Sequence, residues 1–148
     1  MQTKKSFLTI ITFLLAATIY SQDSNDIIVV DEIAGNMTQL KEQYGEASNA
    51  YFLEGIEKLA PEQIANVLEK HQGVDLHIYV LTKPGAIVFS SVALTPDNVR
   101  DFTDVLKAWK GHIAGSVLIH SEIVFTTGKG IELKRELEDI TGLTFTMR

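Results

Sequence analysis

Apolar runs alternate with helical patterns along most of this chain. Continuous apolar runs are typical of strands that are buried on both faces, and residues 27–30, 76–81 and 116–119 form runs of this kind. Shorter runs at residues 51–53 and 143–146 predict two further strands. The chain is therefore expected to contain at least five strands of a buried sheet.

Four segments between these runs have the spacing of an amphipathic helix. The first carries its apolar side chains between positions 37 and 44. The second begins near Pro61, whose missing N–H costs nothing in a first turn. The third is predicted to begin with Thr95 as its N-cap, and the fourth to run over residues 129–141 and stop at Gly142.

The order of the elements predicts the fold class. Pro84-Gly85 forms a turn that leads into a small hairpin pivoting on Ser90-Ser91. Elsewhere strands and helices alternate, which predicts a mainly parallel sheet with helices on both faces. We therefore expect a three-layer α/β/α sandwich with a β-hairpin after the central strand, in one domain over residues 22–148.

The first 21 residues have the order of a secretory signal peptide. Lys4 and Lys5 precede an apolar run over residues 7–19, and Ser21 is a small residue at the end of the segment. The run is shorter than the about 20 residues that a membrane span needs. We expect cleavage between Ser21 and Gln22, and a mature domain that is periplasmic or extracellular, without stable insertion in a membrane.

Charge and cysteine content narrow the functional classes. Without the leader, 11 basic and 19 acidic side chains remain, and this balance argues against nucleic acid and anionic membranes as partners. The chain has no cysteine, which excludes disulfides, thiolate metal ligands and a cysteine nucleophile. We predict no cofactor, and a protein or another surface component as the kind of partner to expect.

Several segments resemble the bacterial domain of unknown function 4347, which occurs near the start of large secreted surface proteins and adhesins. Gln63-Ile64 and His77-Ile78 match a family helix and the strand after it, and Trp109 matches a tryptophan late in the next helix. The family's turn and hairpin, the strand before its presumed nucleophile, and its closing elements resemble PGAIVFSSVAL, GSVLIHSEIV and LEDITGLTF. The similarity covers residues 27–145 and implies a fold related to the caspase–gingipain clan of cysteine peptidases.

The residues that the family presents for catalysis are replaced in this chain. After the His-Ile pair the family reads Ser-His-Gly, where this chain has Val80-Leu81-Thr82. After the later strand it reads Tyr-Gly-Cys, where this chain has His120-Ser121-Glu122. Leu81 thus stands at the place of the presumed base and Glu122 at that of the thiol. The resemblance implies a domain that has lost its Cys–His dyad, is not a cysteine peptidase and has no catalytic residue at these positions.

A ligand site is nevertheless expected where these two strands end. Sites in open α/β sheets lie at the carboxyl ends of the strands. The predicted crevice is rimmed by Thr82, Lys83, His120, Ser121, Glu122, Gly128 and Lys129. Gly128-Lys129-Gly130 at a helix start could hold an anion, although a structural helix N-terminus with a solvated lysine is the more ordinary interpretation.

Three functional hypotheses follow. The first is an exported, non-catalytic binding or structural module. The alternative is a hydrolase with replaced chemistry that uses His120 and Glu122, because alternate residues of an extended segment share a face, with help from a metal ion. Its further ligands would be His77, His71, Asp75 and His112. A serine hydrolase is disfavoured because the Gly-x-Ser-x-Gly elbow is absent. The third is a structural domain that works through its outer faces.

Overall fold

The computed structural model describes residues 25–55 and 57–148. This part of the chain contains eight strands, four α-helices and one 3-10 turn. The predicted leader over residues 1–21 lies outside this part. The strands are β1 (Asp26–Asp31), β2 (Ala50–Leu53), β3 (Val74–Tyr79), β4 (Leu81–Lys83), β5 (Ala86–Val88), β6 (Ala93–Leu94), β7 (Ile113–Ile119) and β8 (Thr144–Met147). The helices are α1 (Met37–Tyr44), α2 (Ala60–Leu68), α3 (Thr103–Lys110) and α4 (Gly128–Thr141). None of the helices in these residues has the length and apolar character needed to cross a bilayer.

The larger sheet has the strand order β2-β1-β3-β7-β8, and every neighbouring pair in it is parallel. The smaller sheet has the order β4-β5-β6 and is antiparallel. The prediction of a mainly parallel α/β fold is therefore confirmed. The smaller sheet contains the expected turn at Ser90-Ser91, and one strand more than the predicted hairpin.

The central strand ends earlier than the sequence pattern predicted. β3 ends at Tyr79, whereas Leu81 opens β4 and pairs antiparallel with Val88. Val80 lies between the two strands and is buried in the main core. The apolar run from residue 76 to residue 81 thus spans two sheets. Because the run is uninterrupted, the sequence pattern does not indicate that the chain changes direction at Val80.

The third helix also begins differently from the prediction. A 3-10 turn, Val99–Phe102, precedes α3, and Thr95 is not its N-cap. Instead the N–H of Thr95 donates to Asn98 Oδ1 at 2.9 Å, and the carbonyl of Thr95 accepts the N–H of Val99 at 3.0 Å. An Asn side chain that closes a turn back onto Thr95 replaces the predicted cap.

Two unequal helix layers cover the larger sheet. Helices α2, α3 and α4 enclose the main core on one face, where Trp109 is buried and donates its indole N–H to the carbonyl of Pro61 at 3.1 Å. On the other face α1 packs Leu40 against Ile28 and Val30. The three predicted layers are present, but α1 covers mainly β1 and β2 and contacts β3 through Tyr44 and Tyr79. Other side chains of β3, β7 and β8 on that face are partly or fully exposed: His77, Leu118, Thr144 and Thr146.

Candidate functional site

The parallel strands bring four loops to one edge of the larger sheet. β1, β2, β3 and β7 end at Asp31, Leu53, Tyr79 and Ile119, and all four run in the same direction. We call the loops that follow these strands, together with the smaller sheet, the carboxyl edge. The predicted crevice residues and both replaced dyad positions lie on segments of this edge.

Thr82 and Ser121 meet at the carboxyl edge. Their hydroxyl oxygens are 2.7 Å apart. Ser121 Oγ also accepts the backbone N–H groups of Ile123 and Val124, each at 3.1 Å. Because these two donors occupy the oxygen's lone pairs, the hydroxyl hydrogen of Ser121 is left to donate to Thr82. The buried Ser121 side chain therefore fixes the turn after β7 and ties that turn to β4.

The turn between β4 and β5 lies against the first turn of α4. Gly85 donates its N–H to the carbonyl of Val124 at 3.0 Å. A Cβ atom on Gly85 would lie 2.6 Å from Lys129 Cβ, and the residue has a φ of +78°. Only glycine accommodates both the conformation and this close approach. The hairpin and the start of α4 are thus in direct contact.

The remaining rim residues of the predicted crevice lie on exposed segments. Lys83 is exposed at the end of β4, and Gly128 opens α4. Lys129 Nζ is 3.8 Å from Asp97 Oδ1 and 3.8 Å from a Glu132 carboxylate oxygen. Thr127 caps the helix, because its Oγ1 accepts the N–H of Gly130. These contacts fit the ordinary interpretation of a capped helix start with a solvated lysine.

His120 lies on the sheet face that α1 leaves open, in a stack with residues of β3. Its ring is 3.8 Å from the Tyr79 ring, centroid to centroid, with an interplanar angle of 8°. Its Nε2 is 3.1 Å from Nδ1 of His77, and the two imidazole centroids are 5.4 Å apart. With the two nitrogens 3.1 Å apart, a centroid separation of 5.4 Å means that the rings lie in line, nitrogen to nitrogen, and not one above the other. The arrangement is that of an N–H···N hydrogen bond rather than of two ligands converging on a metal ion.

The surroundings of this stack keep both His120 and Tyr79 uncharged at neutral pH. Burial, and then the charges of His77 and Arg148, lower the pKa of His120 to about 4. Burial and the hydrogen bond to Tyr44 raise the pKa of Tyr79 to about 12. The two tyrosine hydroxyls are 3.1 Å apart. His120 is therefore a neutral imidazole whose Nε2 is already paired with His77.

Glu122 and the other proposed metal ligands do not join this stack. Glu122 is exposed, and no hydrogen bond or ion pair within residues 25–55 and 57–148 joins it to another side chain. The Ser121 turn interrupts the extended conformation that was expected to place His120 and Glu122 on one face. His71, Asp75 and His112 lie at the opposite edge, where β3 and β7 begin. Among the described residues no group of three or more His, Cys, Asp or Glu is arranged to hold a metal ion.

Sequence reasoning missed a buried carboxylate at the carboxyl edge. Asp31 is 1% exposed, and its Oδ1 accepts the N–H groups of Ile33 at 3.1 Å and Ser90 at 3.0 Å. Its Oδ2 accepts the Ser90 hydroxyl at 3.3 Å. The signal available in the sequence is an acidic residue placed directly after the apolar run of residues 27–30, because a carboxylate that ends a buried strand needs donors.

A comparison with protein families identifies the family of this chain. The family described as a domain of unknown function, DUF4347, matches residues 27–147, from the first strand to the last. The chain belongs to the DUF4347 family. No curated protein and no solved structure matches the chain. In this DUF4347 domain the two positions that the family resemblance assigned to the dyad are Leu81, at the start of β4, and Glu122, in the turn after β7.

Proposed function

We propose that this DUF4347 domain is an exported, non-catalytic module with a binding or structural role at the cell envelope or outside the cell. The observation that carries the proposal is that buried polar groups at the carboxyl edge are used to hold the fold. Ser121 Oγ accepts two backbone N–H groups and donates to Thr82, and Asp31 accepts three hydrogen bonds. A nucleophile or general base needs a lone pair aimed at the substrate.

The same proposal includes a caspase-like fold whose dyad has been lost. The strand order places β3 beside β7, and the family's presumed base and nucleophile follow these two strands. Leu81 cannot accept or release a proton. Glu122 is an exposed carboxylate with no neighbouring base or cation in hydrogen-bond contact among the described residues. Neither residue supplies what a thiolate–imidazole pair does.

The alternative, a hydrolase that uses His120 and Glu122, has less support. The lone pair or proton of His120 Nε2 is paired with His77, and the ring lies on the open sheet face against Tyr79. Glu122 lies beyond the Ser121 turn and has no hydrogen bond to His120 among the described contacts. A general acid–base pair has to reach one substrate together.

A peptidase assay tests the non-catalytic role. We expect the purified protein to release no more product from fluorescently labelled casein than a heat-denatured sample does, with or without added Zn²⁺. The matched variants are Glu122→Ala and His120→Ala, with folding checked by circular dichroism. Turnover that disappears in a folded Glu122→Ala variant would overturn the proposal, and turnover that persists in both variants points to a contaminating peptidase.

A further inference from the structure

Exposed large apolar side chains concentrate at the carboxyl edge. Among residues 25–55 and 57–148, the large hydrophobic residues that are exposed are Ile33, Leu59, Leu81, Ile123 and Ile131. The first four follow β1, β2, β3 and β7 respectively, and each is 38–43% exposed. We call these four residues the edge patch. Scattered single apolar residues need no explanation, but apolar residues gathered on the loops of one edge indicate an interaction surface.

Hydrogen bonds connect the loops that carry the edge patch. Leu59 adjoins the β5–β6 turn, because the N–H of Ala60 donates to Ser91 Oγ at 2.8 Å. Asp31 joins the same turn to the loop that carries Ile33, through its hydrogen bonds to Ser90. Leu81 pairs with Val88 of the same small sheet, and the bond between Thr82 and Ser121 connects it to the loop of Ile123. The smaller sheet therefore links all four loops.

The same kind of hydrogen bond fixes the backbone at two residues of the edge patch. Asp31 Oδ1 accepts the N–H of Ile33, and Ser121 Oγ accepts the N–H of Ile123. In both cases a buried polar residue at a strand end fixes the backbone two residues later, where an isoleucine faces solvent. A surface whose backbone is fixed before binding loses less conformational entropy on association.

The charges around the edge patch favour a cationic partner. Exposed acidic residues stand next to the apolar ones: Glu32 beside Ile33, Glu122 beside Ile123, and Glu54 and Glu57 in the loop before Leu59. The exposed cations at this edge are Lys58, Lys83 and Lys129, and the last of these already lies near the carboxylates of Asp97 and Glu132. A second copy of the chain would bring acidic groups against acidic groups, and an anionic membrane would be repelled. A segment with Lys or Arg beside its apolar side chains complements the patch.

A pocket beside Leu59 can receive a basic side chain. It has a volume of about 360 Å³ and lies between the loop after β2 and the β5–β6 turn. Besides Leu59, it is lined by Gly55, Glu57, Lys58, Glu62, Ser90 and Ser91. Its two carboxylates and two hydroxyls suit a lysine or arginine that stands next to an apolar residue of the partner.

We propose that the edge patch is the docking surface for a protein segment that presents apolar side chains between lysines or arginines. The proposal rests on the proposed non-catalytic role and deepens it, since it assigns a partner chemistry to the carboxyl edge. The apolar side chains of the segment contact Ile33, Leu59, Leu81 and Ile123, and its cations face Glu32, Glu54 and Glu122.

The test uses a fluorescein-labelled peptide of four Leu-Lys repeats. The protein is purified from cells as they produce it, with or without the first 21 residues. Fluorescence anisotropy compares this peptide with one of four Ser-Lys repeats and one of four Leu-Glu repeats. We expect both control peptides to bind at least about tenfold more weakly, because each lacks one half of the complementarity. We expect the double substitution Leu81→Ser with Ile123→Ser to weaken the Leu-Lys peptide by about tenfold.

Ile131→Ser is the matched control, because Ile131 is exposed on α4 among Lys134, Arg135 and Glu138, outside the patch. This variant should keep the affinity of the unmodified protein. No binding of the Leu-Lys peptide, equal binding of the Ser-Lys peptide, or an equal loss in Ile131→Ser would each overturn the docking surface. Mass spectrometry of the peptide separates the two proposals. If the peptide is cleaved and its binding depends on the edge patch, only the non-catalytic role is contradicted. If the peptide stays intact and does not bind, only the docking surface is contradicted.

Discussion

At Asp31, a carboxylate that is 1% exposed accepts three hydrogen bonds and joins β1 to the β5–β6 turn. We expect Asp31→Ala to lower the free energy of unfolding by about 2–3 kcal/mol, because the N–H groups of Ile33 and Ser90 lose their acceptor. Urea denaturation monitored by circular dichroism measures the change.

Asp97→Ala is the control for that substitution. The Asp97 side chain is 87% exposed and its ion pair with Lys129 is 3.8 Å long. We expect a change below about 0.5 kcal/mol, since exposed ion pairs of this length contribute little. Equal destabilisation by the two substitutions would contradict the structural role assigned to Asp31.

His120 makes the stability of the domain depend on pH in acid. Its pKa is lowered to about 4 in the folded protein, against about 6.5 in an unfolded chain. As the pH falls from 6.5 towards 4, the unfolded chain binds a proton at His120 that the folded protein does not, so stability is lost over that window. The groups that face the ring are Tyr79 and His77 from β3 and Arg148 after β8, with Asp26 paired to His77.

The measurement is the free energy of unfolding between pH 7.5 and pH 4.5, for the unmodified protein and for His120→Gln. We expect the variant to lose less stability over this range, because glutamine takes up no proton. Carboxylates titrate in both proteins, so the difference between the two pH profiles reports on His120. Identical profiles would show that the folded ring titrates as it does in the unfolded chain.

At the scale of elements, the smaller sheet depends on the close approach of Gly85 to α4. A Cβ at this position would lie 2.6 Å from Lys129 Cβ and 3.1 Å from the Lys129 carbonyl carbon, and the φ of +78° adds strain. We expect Gly85→Ala to cost about 2–3 kcal/mol, because the helix backbone cannot move as a flexible side chain does.

Gly73 offers a matched comparison for Gly85. It has a φ of +66° and nothing within 4 Å of its added Cβ, so Gly73→Ala carries the conformational strain without the steric clash. We expect it to cost about 1 kcal/mol. Thermal or urea denaturation of the two variants measures the difference, and a Gly73→Ala cost as large as that of Gly85→Ala would contradict the close approach.

Most strands of the larger sheet could be predicted from sequence because apolar runs mark them and helical patterns separate them. Residues 27–30 lie within β1, and the stop at Gly142 is confirmed by its left-handed φ of +69°. The elements that were missed are short. β4 has three residues and continues the apolar run of β3, so no change in hydropathy marks its start. The 3-10 turn before α3 depends on the Asn98 side chain rather than on the Thr95-Pro96 pattern.

At the scale of the whole molecule, the fold class followed from the alternation of strands and helices, whereas the side-chain pairs at the candidate site did not. His77 and His120 are 43 residues apart, and Asp31 and Ser90 are 59 residues apart. No local pattern encodes such pairs, because each forms only after the sheet order and the position of the smaller sheet are set. The uneven cover by α1 has the same origin, since periodicity shows that a helix is amphipathic but not which strands it covers.

Export is a prediction about the whole chain. Cleavage between Ser21 and Gln22 removes no residue of the described fold, which begins with Asn25 donating its side-chain amide to the carbonyl of Gly73 at 2.8 Å. We expect amino-terminal sequencing of the accumulated protein to begin at Gln22, and fractionation to recover it from the periplasm or medium. Recovery of the uncleaved chain from the cytoplasm would contradict the predicted leader.

The strand order has a consequence for the growing chain. β1, β2 and β3 are complete once residue 79 has been made, but β7, which pairs with the other side of β3, begins only at Ile113. Until then β3 presents its unpaired backbone groups as an open edge, beside the apolar side chains of Leu76 and Ile78. A chain that stops before Ile113 therefore exposes an unpaired edge strand, and residues 74–79 are the segment through which such a chain is expected to aggregate.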